Sequence, residues 1–203
     1  EAGISRVENG LVPPVRIRGD KGWNILERMK FYNIPGVSIA VFDGRQVLWA
    51  KGYGVRDAGT NEPVSEKTLF VAGSISKPVA AMGALRLVQE GRLSLDEDIN
   101  THLASWKLPE NDFTKTQKVT LRRIMSHSAG LTVHGFLGYS PGQPLPSLVQ
   151  VLDGVPPANS APVRVDTVPG TIWRYSGGGI TIMQQAMIDV ESKPFPEIME
   201  DKI

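Results

Sequence analysis

Ser74-Ile75-Ser76-Lys77 is a Ser-x-x-Lys set at the start of an apolar periodic segment. Residues three apart on a helix share a face, so the Lys77 amine comes within reach of the Ser74 hydroxyl. A serine hydroxyl is a weak nucleophile until a base takes its proton, and a lysine serves when burial or a neighbouring cation lowers its pKa. A helix N-terminus adds unpaired N–H groups and a positive dipole end beside an oxyanion forming at Ser74. Two common residues at a fixed spacing also arise roughly once by chance in a chain of this length, and the same residues describe a helix cap. Tyr175, in Tyr175-Ser176-Gly177, is the second candidate. A phenol beside cationic groups is held partly as phenolate and acts as a general base. The alternative is a half-buried tyrosine that packs its ring.

Several elements must position these groups. Val79, Met82, Leu85 and Val88 recur at helical period, and Gly91 follows as a left-handed C-terminal residue, so a helix is predicted over residues 74–90. Pro78 is tolerated only in the first turn, which puts Ser74 at or beside the helix N-terminus. Residues 36–56 predict a β-hairpin, with Val37 to Phe42 and Val47 to Ala50 as strands around Asp43-Gly44. A helix over residues 23–31, carrying Ile25, Leu26 and Met29, leads into the turn at Asn33, Ile34, Pro35 and Gly36. Thr120 reads as the N-cap of a short helix that stops at Gly130. Seven of the fifteen prolines fall between Pro141 and Pro169, where only residues 148–152 suggest a helix. Ile180, Met183, Met187 and Val190 mark one more helical face, and Pro196 opens a last helix near the end.

Composition excludes several function classes. The 203 residues carry 22 Lys and Arg against 21 Asp and Glu, a net charge of +1 with no basic run longer than Arg122-Arg123. That leaves no electrostatic footprint for nucleic acid. The longest apolar stretch, residues 36–42, is far short of the roughly 20 residues of a membrane span. The absence of cysteine removes disulfides, thiolate zinc sites and cysteine nucleophiles. His127 and His134 are seven apart with no third histidine nearby, so neither metal nor cofactor is expected. No serine has glycines at both flanking positions of a Gly-x-Ser-x-Gly elbow, which removes the α/β-hydrolase route.

Three stretches taken together resemble successive landmarks of the serine β-lactamase-like superfamily: residues 70–77 around Ser74, residues 120–131 around His127, and residues 169–177 around Tyr175. The branch they are most similar to contains class C β-lactamases, D-stereospecific peptidases and family VIII carboxylesterases. The hairpin and residues 91–99 fit the same order, so the resemblance runs over about residues 30–190.

The resemblance implies an α/β fold with a mainly helical second domain, in which an antiparallel sheet is flanked by helices. Residues 1–70 would supply the N-terminal helix and hairpin of the α/β domain. Residues 71–203 would form the mainly helical domain with the Ser-x-x-Lys helix and the Tyr-Ser-Gly loop. It also implies an acyl-enzyme mechanism on a small-molecule ester, β-lactam or peptide. In that mechanism Ser74 attacks, Lys77 and Tyr175 share its proton, and Trp173 and Gly177 line the substrate. His127 would be structural, and a periplasmic or secreted location would follow by analogy.

Two departures stand out. Gly177 occupies the position where the family usually offers a side-chain amide, which favours simple esters over β-lactams. The family's Lys-Thr-Gly or His-x-Gly strand is absent, because His102, His127 and His134 all lack a glycine two residues on. A C-terminal polypeptide of the same protein, supplying strands beyond residue 203, is therefore expected to complete the site. A non-catalytic penicillin-binding or sensor module of the same fold is the competing reading.

Overall fold

The computed structural model describes residues 2–203, which form two compact units, residues 2–71 and Ala72–Ile203. The first unit begins with α1 (Ala2–Glu8), which buries no residue, and α2 (Ile25–Phe31). Asn24 caps α2 by accepting from the backbone N–H groups of Leu26 and Glu27, so the helix starts two residues later than the apolar pattern predicts. Ile25 and Met29, four apart, present one face of α2 to Tyr53, with Leu11, Val37 and Ile39 at the rim.

The hairpin forms as β1 (Gly36–Asp43) and β2 (Gln46–Gly54), paired antiparallel in a two-stranded sheet. Its turn centres on Gly44-Arg45, one residue beyond the predicted position, because Gly44 takes the positive φ (59°) that a two-residue hairpin loop requires. The register shifts after Val41, which opposes Trp49 while Phe42 opposes Val47, leaving Leu48 as a bulge. Gly54 (φ 73°) admits the Pro35 carbonyl oxygen, which accepts from Val55 N–H at 2.8 Å and closes the hairpin base.

The second unit is helical: α3 (Ser76–Gln89), α4 (Leu121–Met125), α5 (Leu148–Asp153), α6 (Gly177–Glu191) and α7 (Phe195–Lys202). Its core is built around α6, whose Ile182, Met183, Ala186 and Met187 are fully buried together with Leu87, Leu121, Ile124, Leu152 and Ile198. Each of the leucines, isoleucines and methionines among them contributes about 1.5–3 kcal/mol of hydrophobic stabilisation. Thr120 caps α4 as expected, accepting from Arg123 N–H, but the helix ends at Met125 because His127 (φ 56°) turns the chain first. Ser147 and Gln150 form a reciprocal capping box on α5, which Gly154 ends in the left-handed region.

On α3 the buried face is Ala80, Gly83, Ala84 and Leu87, whereas the larger Val79, Met82 and Leu85 are exposed. Close packing selects the small residues: a Cβ at Gly83 would stand 2.8 Å from Met199 Sδ and 3.0 Å from Met187 Cε. Asp189 ties α6 to residues 104–105, accepting from both backbone N–H groups, from Ser105 Oγ and from Gln185 Nε2. These bonds hold its carboxyl below the usual aspartate range against the opposing effect of burial. Among the described residues no helix is long and apolar enough to cross a membrane.

Candidate functional site

Ser74 lies in a single 3₁₀ turn, Gly73–Ile75, that leads directly into α3. Gly73 takes φ 52° to start the turn, and Lys77, three residues after Ser74, donates from Nζ to Ser74 Oγ at 3.1 Å. Tyr175 arrives from the other side, immediately before α6, and its hydroxyl donates to the same Ser74 oxygen at 2.8 Å. Lys77 Nζ stands 5.1 Å from the centre of the Tyr175 ring. The structure thus brings Ser74, Lys77 and Tyr175 together at one oxygen atom.

The segment around Tyr175 is pinned on both flanks. Arg174 N–H donates to His127 O at 2.8 Å, and Ser176 N–H donates to His127 Nδ1 at 3.2 Å. At the start of α6, where the N–H groups have no intrahelical partner, Gly177 N–H donates to His134 O and Gly178 N–H to Val133 O, each at 3.0 Å. Gly179 N–H donates to Ser176 Oγ. Close approach favours glycine here, since a Cβ at Gly177 would stand 3.0 Å from His134 O and one at Gly178 2.8 Å from Val163 Cγ2.

The electrostatics follow from this packing. The Lys77 ammonium, and after it the Ser74 hydroxyl, hold the Tyr175 phenol below the usual tyrosine range. Burial, reinforced by the Lys77 and His134 charges, pushes the His127 imidazole down. A neutral His127 whose Nδ1 accepts from Ser176 supports the tyrosine loop, and its ring lies 4.4 Å from the Tyr175 ring. Such a site can pass a proton between a serine hydroxyl and a neighbouring phenol oxygen.

Two cavities of about 470 and 520 Å³ open at Ser74. Gly177 lines the first, with Phe136, Ile180 and Phe195; Trp173, 71 % exposed, lines the second, with Arg174. Trp173 also meets the His127 ring edge to face at 6.2 Å. The place that a side chain at position 177 would take is filled by residues 134–136. The sequence gives no sign of His134, whose ring lies 4.9 Å from that of Tyr175. The run Gly177-Gly178-Gly179 is the only trace, as a signal that another backbone approaches closely. Among the described residues no group of three His, Asp or Glu side chains converges as a metal site.

The family model described as Beta-lactamase matches residues 24–203, which include the serine, lysine and tyrosine of this site. The chain belongs to that family. Among characterised relatives it is 30% identical over 99 residues to Protein flp of Staphylococcus aureus (strain N315), covering 49% of this chain and 20% of the relative. It is 29% identical over 152 residues to Esterase EstB of Burkholderia gladioli, covering 70% of this chain and 38% of the esterase. The solved structure of the octameric penicillin-binding protein homologue from Pyrococcus abyssi is similar at a TM-score of 0.67 and 26% identity, over 88% of this chain and 40% of that one. The chain therefore spans about a fifth to two fifths of the length of these relatives.

Proposed function

We propose that this chain carries the nucleophile and the base of a serine hydrolase working through an acyl-enzyme, with esters favoured over β-lactams and D-amino-acid peptides. The observation that carries the reading is the convergence of Lys77 Nζ and Tyr175 OH on Ser74 Oγ across 101 positions of sequence. With Tyr175 as phenolate, the Ser74 proton passes to the phenolate oxygen while Ser74 Oγ bonds to the carbonyl carbon. The tetrahedral oxyanion forms beside the first turn of α3, whose dipole favours it. Tyr175 then returns the proton to the leaving alkoxide as the C–O bond breaks. Water, losing a proton to Tyr175, attacks the acyl carbon, and the Ser74 hydroxyl is restored as the acid leaves. Lys77 Nζ, within hydrogen-bond reach of Ser74 Oγ, orients that oxygen throughout.

The ester preference is supported by the lack of any side chain at Gly177 to hold an acyl-side amide, and by the likeness to Esterase EstB. A C-terminal polypeptide of the same protein belongs to the proposal. Its support is the two-stranded sheet, whose outer edges have no strand partner among the described residues, and the missing oxyanion-lining motif.

A fluorophosphonate ester tests the reading, because it phosphonylates only an activated serine. Peptide mass mapping should find the adduct on Ser74, and an adduct on Ser128 or Ser176 would sink the assignment. Lys77→Ala and Tyr175→Phe should each slow labelling at least about a hundredfold. The double variant should be little slower than the worse single, as groups acting as a unit behave. Acylation by a penicillin with no ester turnover would instead favour the binding or sensor module.

A further inference from the structure

We propose that His127 is a positioning residue of this site: its neutral imidazole holds the Tyr175 hydroxyl on Ser74, and protonation of that ring releases the tyrosine and slows the attack. The inference rests on the serine hydrolase reading above.

Its first support is how little else fixes the tyrosine. Residues 172–176 carry no regular secondary structure, and α6 begins only at Gly177. The backbone N–H groups of residues 172–176 make two hydrogen bonds among the described residues, and His127 accepts both. Its carbonyl oxygen takes Arg174 N–H at 2.8 Å, and its Nδ1 takes Ser176 N–H at 3.2 Å. The two bonds flank Tyr175, so one residue sets the direction in which the phenol leaves the chain.

Its second support is that His127 is itself fixed by the core. Its own N–H donates to Ile124 O at 3.1 Å, and the Ser128 N–H donates to Arg123 O at 2.8 Å, which closes the end of α4. Leu121 and Ile124 anchor that helix in the buried core. The left-handed backbone of His127 (φ 56°) is one that histidine and asparagine adopt more readily than most residues. A loop tyrosine thus takes its place from a buried helix, through one side chain and one carbonyl.

Its third support is the chemistry of the accepting atom. Nδ1 accepts only while the imidazole is neutral; the imidazolium carries a proton on both nitrogens and meets the Ser176 N–H donor to donor. The basic groups that bear on the ring are Lys77 of α3 and His134 of the loop after α4. Tyr175 and Trp173 face it with their rings, and the Arg174 guanidinium is paired with Asp166. Burial first, then Lys77 and His134, keep the ring neutral until the pH falls below the ordinary imidazole value of 6.5.

The test measures fluorophosphonate labelling of Ser74 in native protein, His127→Asn and His127→Phe, with the folding of each checked by amide exchange in α6. Asparagine keeps an accepting oxygen close to the place of Nδ1 and suits the left-handed backbone, but does not titrate. Phenylalanine keeps a ring against Tyr175 without an acceptor. At about pH 7.5 the labelling rate should stay within about threefold of native in His127→Asn and fall at least about tenfold in His127→Phe. In native protein the Ser176 amide resonance should follow the His127 titration. One pH unit below that midpoint about a tenth of the rings are neutral, so native labelling should fall about tenfold relative to His127→Asn. Should phenylalanine unfold the turn, this acid comparison decides alone. An equal loss in both variants, or parallel pH profiles in native protein and His127→Asn, overturns the proposal. So does native labelling that holds up better in acid than that of His127→Asn, the result if the imidazolium acts by stabilising the phenolate instead. Labelled native protein with parallel profiles defeats the role of His127 alone, and native protein that is not labelled at Ser74 defeats the hydrolase reading and this inference with it.

Discussion

The two units differ in how much of their own fold they hold. Ala72–Ile203 closes a core of twenty-one buried hydrophobic residues around α6, whereas the cluster in residues 2–71 has three, Ile25, Met29 and Tyr53. The hairpin also exposes Phe42, Val47 and Leu48. The difference teaches that the helical unit specifies its own structure, while the hairpin unit is a surface in want of further burial. Ser74, Lys77, Tyr175 and His134 all belong to the self-sufficient unit.

Amide hydrogen exchange gives the widest test of that contrast. Ile182, Met183 and Ala186 in α6 should exchange at least about a thousandfold more slowly than Ile39, Ala40 and Trp49 in the hairpin. Equal protection would break the comparison. A smaller effect sharpens it: Met187→Ala should cost about 2–5 kcal/mol in the unfolding of the helical unit. Met29→Ala, in a cluster with little around it to collapse, should cost less than about 2 kcal/mol, as read from denaturant melts followed by unit-specific probes.

The smallest effect is a pH dependence confined to the hairpin unit. Burial, and after it the Glu8 carboxylate that accepts its hydrogen bond, pushes the Tyr53 hydroxyl up to about 12. The unfolded chain releases that proton near pH 10, so the hairpin unit should lose stability as pH rises from about 10 to about 12. Tyr53→Phe should flatten that slope, which thermal melts at stepped pH would register.

The sequence carried the main helices and the hairpin because each has a local signature: the Thr120 cap, Gly91 in the left-handed region, Pro78 in a first turn, and the glycine of the hairpin turn. It misjudged the buried face of α3, because apolar periodicity weights Val79, Met82 and Leu85, while the helix buries Ala80, Gly83 and Ala84 and leaves no room for a side chain at Gly83 beside Met187 and Met199. Nothing in the pattern marked α1, which buries no residue. Ser74, Lys77 and Tyr175 were legible through residue chemistry at helix starts, and their meeting at one oxygen is a long-range fact that no local pattern encodes. His134 was not legible, since it is placed by the positive φ of a valine that sequence statistics would never assign there.

The joint between α3 and α7, where Gly83 faces the sulfur of Met199 and the methyl of Met187, makes part of the helical unit a redox liability in a chain that has no cysteine to oxidise first. Conversion of either thioether to a sulfoxide would add a polar oxygen where there is not room for a methyl group. An oxidised methionine at that joint would force apart the helix that carries Lys77 and its neighbours, so the base would lose its footing without any chemistry at the nucleophile itself.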